Sequence, residues 1–173
     1  MPEETSTVQK NCFSDIEEWD QLDAKTDLLR GIYAYGFEKP SPIQRKAILP
    51  MFKGRDVIAQ AQSGTGKTGC FAISSVQIAD ATKNVPQVMI LSPTRELSQQ
   101  TKSVVESMGQ QFEGLRTQLL IGGTSTEEDI EKLTNQPPQI VIGCPGRVHD
   151  MLRRKRLSNS SLKLIVLDEA DEM

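Results

Sequence analysis

The chain has no Cys-x-x-Cys pair, no apolar run long enough to cross a bilayer, no basic-then-apolar opening and no excess of positive charge. Each absence excludes something. Cys12, Cys70 and Cys144 are odd in number and widely spaced, so neither a disulfide framework nor a zinc site is indicated, and buried or inert reduced thiols are expected. The opening MPEETSTVQKN is polar and partly acidic where a secretion signal would be basic and then apolar, which leaves an intracellular protein as the expectation. With Lys and Arg at 20 against 23 Asp and Glu, the net charge of −3 rules out holding nucleic acid by bulk charge, but not local basic grooves. Apolar content of 37% with 25% charge is that of a globular protein, and 173 residues suffice for one domain with a core but not for two ordinary ones.

Charge is unevenly spread. Acidic residues crowd the first part of the chain, from Glu3 to Asp27, whereas Arg153, Arg154, Lys155 and Arg156 cluster late. That cluster reads as a solvated helix end, where cations suit the dipole, with RNA contact as the alternative. Residues 1–18 have little apolar periodicity and read as a flexible tail. DAKTDLLRGIYAYG reads as a helix with Thr26 as N-cap and Gly36 as stop; SPIQRKAILPMFKG reads as another, capped by Ser41, with Pro42 at its first position and Pro50 ending or kinking it. Five strand-like runs follow, at 56–60, 87–92, 116–122, 139–143 and 162–168, separated by helix-length stretches, one of which opens with a capping box at Ser125 and Glu128. Continuous apolar strands alternating with helices predict an α/β fold with a parallel sheet covered on both faces, and ligand chemistry at the carboxyl ends of its strands.

Two of those ends carry nucleotide chemistry. DVIAQ runs into AQSGTGKT, residues Ala61, Gln62, Ser63, Gly64, Thr65, Gly66, Lys67 and Thr68. The glycines let successive backbone N–H groups curl around phosphate oxygens, the following helix adds its positive end, Lys67 reaches the outer phosphates and the Thr68 hydroxyl suits Mg2+. The alternative is a glycine-rich turn with an exposed lysine. After the fifth strand come Asp168, placed to hold Mg2+ through its water shell, and Glu169, placed to take a proton from an attacking water. Taken alone, such a tetrapeptide reads equally well as an acidic helix start.

GFEKPSPIQ, AQSGTGKT, PTRELSQQ, Gly122-Gly123, CPGR and DEAD follow one another in the order expected of a DEAD-box RNA helicase, and with their flanks they cover nearly all of 19–173. The chain resembles that family and, in its connecting text, the translation initiation factor 4A branch. The resemblance implies an α/β, RecA-like P-loop domain with a parallel sheet flanked by helices, incomplete at its C-terminal end. It makes 19–173 the first helicase ATP-binding domain in part, with an adenine-recognition region at 19–44. It also implies that Gln44 reads the adenine edge, that Phe37 packs at the base with Trp19 upstream of it, and that ATP with Mg2+ is used. Lys67, Asp168 and Glu169 take the catalytic places. Pro93, Thr94, Arg95, Gly122, Gly123, Pro145, Gly146 and Arg147 match segments that hold the backbone of single-stranded RNA, where contacts are blind to sequence. Read without the resemblance, PTREL is an N-capped helix with Arg95 exposed, and Gln44 is a polar residue on a short helix. Cys144 replaces a usual threonine, which removes a hydroxyl from the RNA path, and His149 replaces a usual aromatic, read as a change of packing.

By the same resemblance, turnover requires a second RecA-like domain, the partners are RNA and translation-initiation scaffold proteins with no membrane, and the location is cytoplasmic or nuclear. The chain alone is expected to bind ATP weakly and hydrolyse it negligibly; a non-enzymatic half that competes for RNA, nucleotide or a scaffold is the alternative. A further strand is expected between the P-loop strand and the strand carrying Asp168. Without it, two inner strands would face each other with unpaired backbone groups, a marginally stable arrangement.

Overall fold

The computed structural model describes residues 14–173; Cys12 and positions 1–13 of the expected tail lie outside them. Four strands, β1 (Val88–Leu91), β2 (Thr117–Leu120), β3 (Ile140–Gly143) and β4 (Leu164–Leu167), form one sheet in the order β2-β3-β1-β4, every neighbouring pair parallel. Among the described residues six α-helices accompany them: α1 (Thr26–Ala34), α2 (Pro42–Phe52), α3 (Lys67–Ile78), α4 (Arg95–Met108), α5 (Thr126–Asn135) and α6 (Pro145–Arg153). None of the described helices is long and apolar enough to cross a membrane.

Alternation along the strands divides the interior in two. Val88, Ile90, Ile140 and Ile142 face one core, shared with Leu28, Ile32, Ile48, Ile73, Val76, Val105 and Met108 of α1–α4. Met89 and Val141 point the other way, against Leu133, Val148, Met151 and Leu157 on and beyond α5 and α6. Both faces of the sheet centre are therefore buried, which is why these strands read as continuous apolar runs.

At β4 the alternation stops being satisfied. Leu164 and Val166 pack on the first core, but Ile165 and Leu167 are each 57% exposed. The predicted strand over 56–60 is not formed: residues 55–60 carry no regular structure and are exposed, Ile58 completely so at 102%. The physical reason is a missing partner. β4 is the edge of the sheet, and among the described residues nothing lies beside it to receive a fifth strand's hydrogen bonds. An apolar, unpaired edge invites association, so Ile165→Lys is expected to slow the loss of monomer from a concentrated solution, followed by light scattering, without lowering the melting temperature.

Other departures are local. The packed region begins before Trp19, because Ile16 is buried at 3%, its N–H donates to the Arg45 carbonyl at 3.2 Å, and Glu17 pairs with Arg45. The first cap is Lys25 rather than Thr26, which opens α1; Gly36 closes that helix at φ +93° as expected. Pro50 does not end α2, which runs two residues further, since only the carbonyl one turn earlier loses its donor. Ser125 does accept the Glu128 N–H.

Candidate nucleotide and RNA sites

Two sites lie at the carboxyl end of the sheet, where loops leave the parallel strands. The first is built around the start of α3. Gly64 and Gly66 sit at φ +80° and +104°, in the left-handed region that lets the loop curl back on itself. A Cβ on Gly66 would lie 2.8 Å from both Gln44 Nε2 and Ser41 Oγ, so this loop and the start of α2 touch only because glycine is there. Gln44 is 2% exposed; its Oε1 accepts from the Ser41 N–H at 2.8 Å and its Nε2 donates to the Gly66 carbonyl at 3.2 Å. Ser41 is the N-cap of α2, as expected, and forms a capping box with Gln44. Phe37 lies against Gly69, where a Cβ would meet its ring at 2.9 Å. Behind it Trp19, fully buried, stacks at 6.2 Å and donates its indole N–H to the Phe37 carbonyl at 2.9 Å. Residues scattered from 19 to 69 are thus gathered on one side of the phosphate loop.

The opposite wall comes from the end of β4. Lys67 Nζ donates to Glu169 Oε1 at 3.1 Å, with both side chains half-buried. Glu169 holds φ +48°, a left-handed conformation that a non-glycine residue rarely takes. Burial, followed by the adjacent Glu169 charge, pushes the Asp168 carboxyl above its ordinary range, with Lys67 pulling it back. Asp168 is therefore harder to charge than a free carboxyl despite Lys67, a cost that a nearby cation would relieve. Thr68, the second residue of α3, stands partly exposed beside this pair in sequence with Lys67.

The second site is an open groove of about 680 Å³ whose lining includes Pro93, Thr94, Arg95, Gly122, Cys144, Gly146 and Arg147, with Glu96 and Asp150 beside them. Three strand ends supply it. β1 leads through Ser92 into α4, whose N-cap Thr94 accepts the Leu97 N–H at 3.2 Å. β2 leads into the loop at 121–125, and β3 into Cys144 and the N-terminus of α6. Gly123 at φ +87° places backbone where a Cβ would lie 2.5 Å from the Arg95 guanidinium. Among the described residues, Arg95 makes no ion pair and no side-chain hydrogen bond. The Cys144 sulfur stands 3.7 Å from Ser98 Oγ.

The late basic cluster follows the helix-end reading: Arg153 and Arg154 both reach back to Asp150, at 3.2 and 2.8 Å. The hydrogen bond from Arg154, ahead of opposing burial, holds the Asp150 carboxyl below its ordinary range. His149 is exposed on α6 and fills no packing role. Cys70 is the inert thiol expected, buried and pushed up to about 12. Asp129 went unseen in the sequence. It is 5% exposed and bonded to Arg147, and its sign was present, since it sits four residues before Leu133 on the buried stripe of α5.

A curled glycine loop opening a helix, facing a carboxylate pair at the end of a parallel strand, defines a RecA-like P-loop domain. The chain belongs to the DEAD/DEAH box helicase family, whose model matches residues 41–173. It is 51% identical over 166 residues to proteins named ATP-dependent RNA helicase eIF4A in Neurospora crassa and Pyricularia oryzae, covering 96% of this chain and 41% of each relative. The chain thus spans less than half the length of those relatives. Among solved structures, a DEAD box protein from Methanococcus jannaschii superposes with a TM-score of 0.86 at 34% identity, over 92% of this chain and 43% of that one. Saccharomyces cerevisiae Dbp5 bound to RNA and ADP BeF3 gives 0.81 at 39% identity, over 91% and 39%.

Proposed function

We propose that this chain is the ATP- and RNA-binding half of an ATP-dependent RNA helicase of the translation-initiation type, coupling ATP hydrolysis to RNA remodelling once a second RecA-like domain stands opposite it. The observation that carries the reading is the Lys67–Glu169 contact at 3.1 Å, which joins the phosphate loop to the acidic strand end across 102 residues of sequence. Ala61 to Thr68 would cradle the phosphates, with Lys67 on the outer ones. Gln44, Phe37 and Trp19 would form the adenine side, held against the phosphate loop by the contact of Gln44 Nε2 with the Gly66 carbonyl. Thr68 and Asp168 would hold Mg2+, largely through water, and the raised Asp168 fits a hard cation. When bound, that ion neutralises developing phosphate charge. Glu169 would orient and deprotonate the attacking water. Neither an opposing arginine nor the other half of the RNA groove is supplied by the described residues, so the chain by itself would turn over negligibly.

The groove at Pro93–Arg95, Gly122–Gly123 and Pro145–Arg147 would take single-stranded RNA by its backbone. Two helix N-termini and an exposed Arg95 offer donors and charge there, with nothing that selects a base. A structure of the yeast relative bound to RNA and ADP BeF3 supports the pairing of the two ligands. Scaffold proteins of translation initiation and a cytoplasmic location complete the proposal. Lys67→Ala is expected to weaken binding of a fluorescent ATP analogue by about 10- to 100-fold, the value of one charge-assisted contact set. Unchanged binding would refute the assignment.

A further inference from the structure

The RNA groove has two arginines of opposite character. Arg95 is exposed and unpartnered among the described residues, packed over Gly122 and Gly123. Arg147 is spent inward: its Nη1 donates to Asp129 Oδ2 and to Thr124 Oγ1 at 3.3 Å, and its Nη2 donates to the Thr124 carbonyl at 2.9 Å. The two paired side chains are only 11% and 7% exposed. Asp129 is anchored in turn, since its backbone carbonyl accepts from Gln118 Nε2 of β2 at 3.0 Å, and Thr124 Oγ1 donates to the Ile121 carbonyl at 3.0 Å.

We infer that Asp129 is a positioning residue for RNA binding: through Arg147 it staples the glycine loop at 121–124 to the first turn of α6, so that two walls of the groove hold one shape and Arg95 alone supplies the free cationic contact. The inference rests on the RNA-binding reading of the groove. A buried guanidinium with three donor contacts to one loop and one carboxylate is a geometric clamp, and a phosphate could be reached by it only after those contacts broke. Asp129 does not line the groove, so its effect on RNA must travel through the loop.

The competing view, in which Arg147 is a phosphate ligand held in check by Asp129, predicts the opposite sign. Neutralising Asp129 would then free the guanidinium and tighten binding. The experiment uses the full chain and a fluorescent single-stranded RNA over a salt series, with a thermal melt of every variant. Asp129→Asn is expected to weaken RNA binding at least fivefold with the salt slope unchanged, and Asp129→Glu to restore most of it. Arg147→Lys, which keeps the charge but not the planar fork, is expected to weaken binding as much as Asp129→Asn. Arg95→Gln should instead lower the salt slope by about 0.7, the signature of one lost phosphate contact on a single strand. Tighter or equal binding by Asp129→Asn, or normal binding by Arg147→Lys, overturns the inference. Hydrogen exchange without RNA separates it from the RNA reading. Faster exchange of the 121–124 amides in Asp129→Asn is expected, and unchanged exchange also overturns the staple. Absence of RNA binding by the parent chain would refute the RNA reading and, with it, the role of Asp129 in RNA binding.

Discussion

Glu169→Gln is expected to lower ATP turnover by about 10²- to 10⁴-fold, the range that a positioned general base contributes, in a polypeptide that joins this chain to its second RecA-like domain. Nucleotide affinity should move the other way. Glu169 occupies Lys67 at 3.1 Å, so phosphate must compete with a carboxylate for the same ammonium. Glutamine keeps the shape and removes the charge, leaving Lys67 free for phosphate. Single-turnover phosphate release together with analogue binding separates the two effects: slow chemistry with equal or tighter binding is the expected pair. Slow chemistry accompanied by weaker binding would mean that Glu169 holds the phosphate loop in shape and is no base.

Trp19→Ala should cost about 3–5 kcal/mol of stability, as for deletion of a fully buried aromatic. The ring has no exposed surface and sits among the core residues of α1–α3. At roughly 2–4 °C per kcal/mol for a domain of this size, the melt should fall on the order of 10 °C. The functional consequence is specific. The indole fixes the Phe37 carbonyl at 2.9 Å and stacks on its ring, and Phe37 in turn closes on Gly69 beside the phosphate loop. Trp19→Phe keeps most of the volume but orphans that carbonyl, so about 1 kcal/mol is expected to be lost, and with it part of the ATP affinity. Calorimetry on both variants, with and without nucleotide, checks the order Ala worse than Phe. Equal losses would show that only volume matters at this position.

What could be read in advance, and what could not, divides along a physical line. The phosphate loop and the acidic strand end were legible because their chemistry is local: glycine at left-handed positions, lysine opening a helix, carboxylates ending an apolar run. The three strand ends of the groove were legible for the same reason. The strand over 56–60 was misread because its composition is that of a buried strand, whereas a strand forms only where a neighbour pairs with it, and among the described residues none pairs with this segment. The roles of Arg147 and Asp129 were hidden because an arginine in a glycine-rich loop looks the same whether it faces solvent or a carboxylate 18 residues away.

The ladder at β1 has a further consequence. Leu91 is level with Gly143 on one side and with Leu167 on the other. The Asp168 N–H donates to the Leu91 carbonyl at 2.9 Å, the Ser92 N–H to that of Gly143 at 3.1 Å, and the Cys144 N–H to that of Leu120 at 3.0 Å. With neighbouring strands about 4.8 Å apart, the carboxylate end of one site and Cys144 of the other are separated by two strand spacings, about 10 Å. They are joined by successive rungs in which no side chain takes part. The two proposed sites are therefore tied together by main-chain hydrogen bonds that side-chain substitution leaves in place. The change able to interrupt them without touching Asp168 is one that removes an amide hydrogen, proline at 92.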